Sequence, residues 1–174
     1  MNMLPYLAPW LLGALIGEAG YQGRRIVSDK SRQYRAAIAS PKNAEYVRVI
    51  QAEEKRAGLP AGLLLRVAWQ ESRFNPNAVS PAGARGMFQL MPLHKINAFD
   101  WRISARYAAD ELLRLYRVFA IWERAVKAYN CGEKNLKVGS GKCRSAETLG
   151  YWADISADVP GLTADQTQRI APTR

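Results

Sequence analysis

Glu71 is the residue around which chemistry can be built. It sits at the end of an apolar run, "LLLRVAWQES", and a loop rich in Ser, Asn, Pro and Gly follows it. The C-terminal end of a helix carries unpaired carbonyls and a partial negative charge. That charge raises the pKa of a nearby carboxyl, and burial against Trp69 or Phe88 adds to the effect. A carboxylic acid that stays protonated near neutral pH can protonate a leaving-group oxygen. On composition alone, the alternative is a helix-end glutamate making a surface contact.

The elements that must position Glu71 read as helices. "SPKNAEYVRVIQAEEKRAG" begins with Ser40 as a cap and Pro41 in the first turn, and stops at Gly58. "LPAGLLLRVAWQES" is a second helix with Pro60 at its start and Leu63, Leu64, Val67 and Ala68 as its buried stripe. Residues 73–83 form a loop, and "GARGMFQLM" reads as a short helix. "ISARYAADELLRLYRVFA" follows with Ser104 as its cap; "IWERAVKAYN" stops near Cys131 and Gly132. "GEKNLKVGSGK" reads as a loop, "SAETLGYWADI" as a last helix, and "DVPG" as the turn into a polar tail. No strand pattern or repeat competes, so the expected fold is mainly α.

The chain has 174 residues, enough for one domain with a real core. Its net charge is +10, with no Lys/Arg block of five or more. Such a surface suits nucleic acid, anionic lipid or an anionic wall polymer, or is simply a solvated basic face. The chain has 5 Trp and 8 Tyr, which pack cores or stack on flat ligands such as sugar rings. Residues 1–17 carry no charged side chain; Glu18 interrupts, and Arg24, Arg25, Lys30, Arg32 and Arg35 follow. The apolar stretch is short for a membrane span, and no Lys or Arg precedes it as in a secretory signal. It reads as a membrane- or partner-associating segment over 1–20, followed by a basic connecting segment over 21–42. A catalytic domain over 43–158 and a polar tail over 159–174 complete the division. His94 stands alone and reads as a surface or loop residue; no CxxC or HExxH pattern is present, so neither a metal nor another cofactor is expected.

The order of motifs is specific. Glu71-Ser72 is followed by Ser80, by Gly83-Ala84-x-Gly86, by Gln89, and by Met91-Pro92; Ala128-Tyr129-Asn130 comes later, then Glu147 and Tyr151. In that order these elements resemble the lytic transglycosylases with the soluble-transglycosylase (SLT), lysozyme-like catalytic domain, over about residues 43–155. There are departures: Leu93-His94 where the family often has Thr-Ala, Arg102 where an Asn is common, and Cys131 where Ala follows Ala-Tyr-Asn. They bear on groove shape, not on the acid.

The resemblance implies Glu71 as the catalytic residue, with Ser72, Ser80, Gly83, Gln89, Tyr129, Asn130 and Tyr151 binding substrate. Gly83 and Gly86 would let the backbone approach a sugar. The implied substrate is the peptidoglycan glycan strand, cut between N-acetylmuramic acid and N-acetylglucosamine with formation of a 1,6-anhydro ring. Glycosidases commonly need two carboxylates; here Asp100, Asp110 and Glu111 are candidates by position only. A lysozyme-like hydrolase is one alternative, and a silent wall-binding component of a virion or secretion apparatus another; nucleic acid is an unlikely partner. A small wall-cutting domain behind an apolar N-terminus suits a virion-associated phage protein acting in the periplasm or cell envelope during genome ejection, or a periplasmic or inner-membrane bacterial protein. Membrane, virion or channel proteins would be met through residues 1–35. Cys131 and Cys143 bracket a Gly-rich loop and form either a disulfide, which a wall enzyme's compartment permits, or two free thiols.

Overall fold

The computed structural model describes residues 29–162; the apolar stretch 1–20 and residues 163–174 of the tail lie outside the described residues. Helix α1 occupies residues 29–39, within the basic connecting segment. It is amphipathic around one anchor: Tyr34 is buried in the main core, with Ala37 and Ile38 packed against that core. The described part of that segment is thus packed against the main core.

Pro41–Asn43 form one turn of 3-10 helix before α2, Ala44–Ala57. Gly58 ends α2 in the left-handed conformation, with φ of 66°. The chain then bends through Pro60 and Gly62 into α3, Leu63–Ser72, which starts three residues later than the proline suggested. Six consecutive residues of α3, Leu63 to Ala68, are buried. A helix buried on every side is a central one rather than a surface one, and α3 is packed by α2, α4 and α7. Its N-terminus is capped from outside the helix. The Glu54 carboxylate of α2 accepts hydrogen bonds from the N–H groups of Gly62 and Leu65, each at 3.0 Å. Two of the amides that a helix start leaves unpaired are met this way.

The segment expected as a short helix at 83–91 is not one. It folds as a tight loop held by two isolated antiparallel bridges, Val79–Arg85 and Arg85–Leu90. Gly83, Gly86 and Gln89 have φ of 84°, 74° and 47°, which α-helical backbone cannot accept. The helix α4 spans Trp101–Phe119 and is capped by Asp100, whose side chain accepts from the N–H groups of Arg102 and Ile103. Ser104, expected as the cap, is buried inside α4, where its hydroxyl donates to the Ala98 carbonyl at 2.8 Å. Next come α5, Trp122–Cys131, the short α6, Glu133–Lys137, and a 3-10 turn, Gly141–Arg144. These last two occupy the segment that composition had given as loop. Ser145 caps α7, Ala146–Ser156. The core does not stop at residue 158, because Val159 and Leu162 are buried as well. Among the described residues the architecture is mainly α, with no strand longer than a bridge.

If α1 belongs to the folded core, Tyr34→Ala destabilises the chain by about 3 kcal/mol, the scale of an aromatic truncation in a packed interior. The check is a fall in urea midpoint at an unchanged m value; an unchanged midpoint would place α1 outside the cooperative unit.

Candidate active site

Glu71 lies in the last turn of α3, on the wall of a groove of about 850 Å³. The floor and walls come from the loop 80–94, from α4 and α5, and from the segment 131–147. Because α3 is buried on all sides, its end presents Glu71 from a fixed support. Burial raises the Glu71 pKa to about 7. Two neighbours modify this: the Tyr151 hydroxyl lowers it by donating to Oε1 at 2.6 Å, and the like charge of Glu147 raises it. Tyr151 is itself buried, and its phenol is held far above the usual range by that burial. The group is therefore a neutral donor to Glu71, whether the carboxyl is charged or not.

The other residues read from the sequence are placed as follows. Tyr129, Asn130, Ser80 and Gln89 line the groove beside Glu71. Each is also tied to the protein. The Tyr129 hydroxyl donates to the Phe88 carbonyl at 3.0 Å. Asn130 Oδ1 accepts from the Thr148 hydroxyl at 2.8 Å, which fixes the side chain at the groove wall. The Ser80 hydroxyl accepts from the Ala84 N–H at 3.0 Å. Gln89 donates through Nε2 to the carbonyls of Gly86 and Ala78, at 2.9 and 3.3 Å. Its unfavourable backbone conformation is held by these bonds. Ser72 and Gly83 are not part of the groove lining. The Ser72 hydroxyl instead donates to the Met87 carbonyl at 2.8 Å and accepts from the Asn75 N–H at 3.1 Å, bracing the loop on the end of α3. Gly86 also serves packing rather than a sugar. A Cβ there would lie 1.8 Å from the Ala98 carbonyl oxygen, so only glycine fits.

The candidate second acids separate clearly. Asp100 is occupied as the α4 cap, and Asp110 pairs with Arg56 at 2.6 Å. Glu111 does reach the groove, but Arg114 clasps both its oxygens at 2.7 Å. The carboxylate that faces the groove without such a clasp is Glu147. Sequence reading noted it only as part of a motif. His94, expected as a surface or loop residue, lines the groove, with Nδ1 2.6 Å from the Tyr107 hydroxyl. No local pattern announces a residue brought in by a loop. Cys131 and Cys143 are joined in a disulfide and both are buried; Cys131 directly follows Asn130.

The raised pKa carries a stability consequence. A glutamate is ordinarily half-ionised near pH 4.5, whereas Glu71 in the fold reaches that point at about 7. The folded state holds this proton more tightly than the unfolded chain. Wild-type stability therefore falls as pH rises from about 4.5 to about 7. Glu71→Gln escapes that loss. It is expected to exceed wild type by about 3 kcal/mol above the window and to converge with it at the acid end. Urea midpoints measured across the window check this, and parallel curves for the two proteins would show that ionising Glu71 costs nothing in the fold.

The comparisons with known proteins agree with this geometry. A family model, "Transglycosylase SLT domain", matches residues 48–148, which include Glu71, the loop beneath it and the Tyr129-Asn130 pair. The membrane-bound lytic murein transglycosylase F of Pasteurella multocida is 31% identical over 129 residues, covering 63% of this chain and 25% of that protein. The protein of the same name from Shewanella loihica is 32% identical over 115 residues, covering 57% of this chain and 24% of that protein. The Idiomarina loihiensis protein is 31% identical over 130 residues, covering 67% of this chain and 29% of that protein. The chain spans about a quarter of the length of the curated relatives it matches. With more than half of its residues inside the matched domain and the acid, loop and groove in their expected order, the chain belongs to the transglycosylase SLT domain family.

Proposed function

We propose that this chain is a peptidoglycan lytic transglycosylase. The observation that carries the reading is Glu71: a half-buried carboxyl on the groove wall, hydrogen-bonded by Tyr151, with its pKa raised to about 7. Near neutral pH such a group exists in both forms, as a group that must donate and then accept a proton requires. Protonated Glu71 gives its proton to the oxygen joining C1 of N-acetylmuramic acid to N-acetylglucosamine, and the C1–O bond breaks. The substrate's own 2-acetamido group stabilises the positive charge at C1. The Glu71 carboxylate then takes the proton from the C6 hydroxyl, and O6 bonds to C1. The ring closes as a 1,6-anhydro sugar, and no water is consumed. The attacking hydroxyl belongs to the same sugar, so its effective concentration is high. Asn130 and Tyr129, both on the groove wall, suit the acetamido group and the sugar ring.

A second reading is a lysozyme-like hydrolase. Glu147 favours it, as a carboxylate on the groove that could activate a water. The products separate the two. Mass spectrometry of digested wall should show anhydro-muropeptides, lighter than hydrated ones by one water, from both wild type and Glu147→Gln. Glu71→Gln should lose at least about 100-fold in rate, the scale of a general acid, while staying folded. Predominantly hydrated products, lost on Glu147→Gln, would move the chain to the hydrolases. A folded wild type that releases no fragments would favour a silent wall-binding module.

The site of action supported by the relatives is the cell envelope, since their names place them at a membrane. Among the described residues no helix is long and apolar enough to cross a membrane. The segment best suited to attachment is residues 1–20, by the charge-free apolar run over 1–17. The full chain should sediment with anionic liposomes, and a chain beginning after residue 20 should stay in solution; sedimentation of both would move the attachment elsewhere. At a finer level, a small wall-cutting domain behind such a stretch suits a phage particle protein, and its presence among the proteins of purified virions would support that assignment.

A further inference from the structure

We propose that α1, which precedes the matched family span, is a positioning element of the active site: it clamps the C-terminal end of α7 onto α3 and so holds Tyr151 against Glu71. The proposal rests on the catalytic reading of Glu71 given above.

The Glu71–Tyr151 bond lies at the contact between α3 and α7. Next to it, along the same contact, is a second polar layer. Gln70 precedes Glu71 on α3 and donates to Asp154 Oδ2 at 3.3 Å; Asp154 is three residues after Tyr151 on α7. One turn before Gln70, Arg66 donates to the Gln70 carbonyl oxygen Oε1 at 2.9 Å and to Asp158 Oδ2 at 3.0 Å. The side chains of Arg66 and Asp158 are each 1% exposed, and that of Asp154 is 5% exposed.

This arrangement places two buried aspartates one turn apart at the C-terminal end of α7. They repel each other, and the helix end disfavours both. Arg66 supplies one compensating charge. The others come from α1: Lys30 Nζ lies 2.6 Å from Asp154 Oδ2, and Arg35 Nε 3.7 Å from Asp158 Oδ1. Ser31 donates to Asp158 Oδ2 at 3.0 Å, and the Tyr34 ring lies under the Arg66 guanidinium, 5.1 Å from its centroid. Asp158 Oδ1 has no hydrogen-bond partner among the described residues; Arg35 is the cation beside it, while Arg66 holds Oδ2. An ordinary surface ion pair contributes little. Here the aspartate of each pair is buried; without Lys30 and Arg35, Arg66 alone faces two carboxylates, and one interior charge is left uncompensated, which is unfavourable. The end of α7 is then expected to move toward water. Tyr151 lies one turn away on the same helix, and its bond to Glu71 loosens with it.

The test is Lys30→Ala with Arg35→Ala in the full chain. These two side chains are 43% and 72% exposed, so truncating them opens no cavity in the core. The Glu71 titration, followed by carboxyl carbon NMR, should shift by about half a pH unit or more, in the same direction as in Tyr151→Phe. Turnover should fall by about fivefold or more with KM unchanged, as expected for a misplaced acid. Placed on Tyr151→Phe, the two substitutions should lower turnover no further, because the route to Glu71 is already cut. Lys30→Arg should keep wild-type behaviour. A folded double variant whose Glu71 titrates as in wild type would overturn the proposal, and so would a full additional fall on the Tyr151→Phe background. Should the double variant unfold, Lys30→Ala alone is decided by the same titration. If wild type forms no anhydro product, it is the lytic reading that fails; the Glu71 titration still decides the positioning role.

Discussion

A carboxyl group withdrawn from water is the constraint on which the rest of this structure depends. Burial raises the Glu71 pKa toward neutrality, and that same burial works against folding once the group ionises. The remainder of the domain must supply the stability to hold it there. It does so by mounting Glu71 on the most enclosed helix of the fold. Six residues of α3 in succession are buried, and the Glu54 carboxylate fixes the start of the helix. Glu54 itself has its pKa raised by burial, with backbone N–H groups acting in the opposite direction. One helix thus meets a glutamate at each end, Glu54 from α2 at its start and its own Glu71 at its finish. The first is satisfied by backbone amides and orders the helix; the second, with one phenolic hydroxyl, is left free to exchange a proton.

The groove follows the same logic. Nearly every polar side chain facing it is half committed to the protein. Tyr129 is held by Phe88, Asn130 by Thr148, Ser80 by Ala84, and Gln89 by Gly86 and Ala78. Each commitment removes rotamer freedom before substrate arrives, so less entropy is lost on binding. The loop beneath them shows what this requires of the sequence. Gly86 must lack a side chain because the Ala98 carbonyl occupies that space, and Gln89 accepts a left-handed backbone to point its amide inward.

Much of this was legible in the sequence where the signal is local. Gly58 as a helix stop, the end of α5 at Cys131, and Ser145 as the start of the last helix follow from capping and periodicity alone. The placement of Glu71 at the end of α3 follows in the same way. The resemblance added Tyr129, Asn130 and Tyr151, and all three surround or contact the groove acid or its wall. What could not be read depends on distant partners. "GARGMFQLM" has helical composition, but its contacts with Ala78 and Ala98 impose turns. Residues 29–39 read as a polar connecting helix or linker; that the helix docks is set by Asp154 and Asp158, more than a hundred residues later, which receive its charges. Val159 and Leu162 look like tail residues because two apolar side chains carry no periodicity. Glu147 and His94 reach the groove only because α7 and the 3-10 turn at Pro92–His94 are folded against it.

The disulfide joins these threads. The wall formed by residues 132–142 contains only five residues of helix and a 3-10 turn, too little to hold itself in place. It is secured at both ends. Cys131, the residue after Asn130, is bonded to Cys143, the residue after Lys142, and both sulfurs are buried. The Thr148 hydroxyl lies within reach of both Asn130 Oδ1 and the Lys142 carbonyl, at 2.8 and 3.2 Å. Covalent and hydrogen-bonded links therefore tie the same two stretches of chain around the same side chain, Asn130. A cross-link closing a loop of this size stabilises by about 3 kcal/mol in the chain-entropy account. Its persistence requires an oxidising compartment, which is where peptidoglycan lies. The disulfide that shapes the groove wall and the peptidoglycan substrate proposed for the groove thus favour the same kind of compartment.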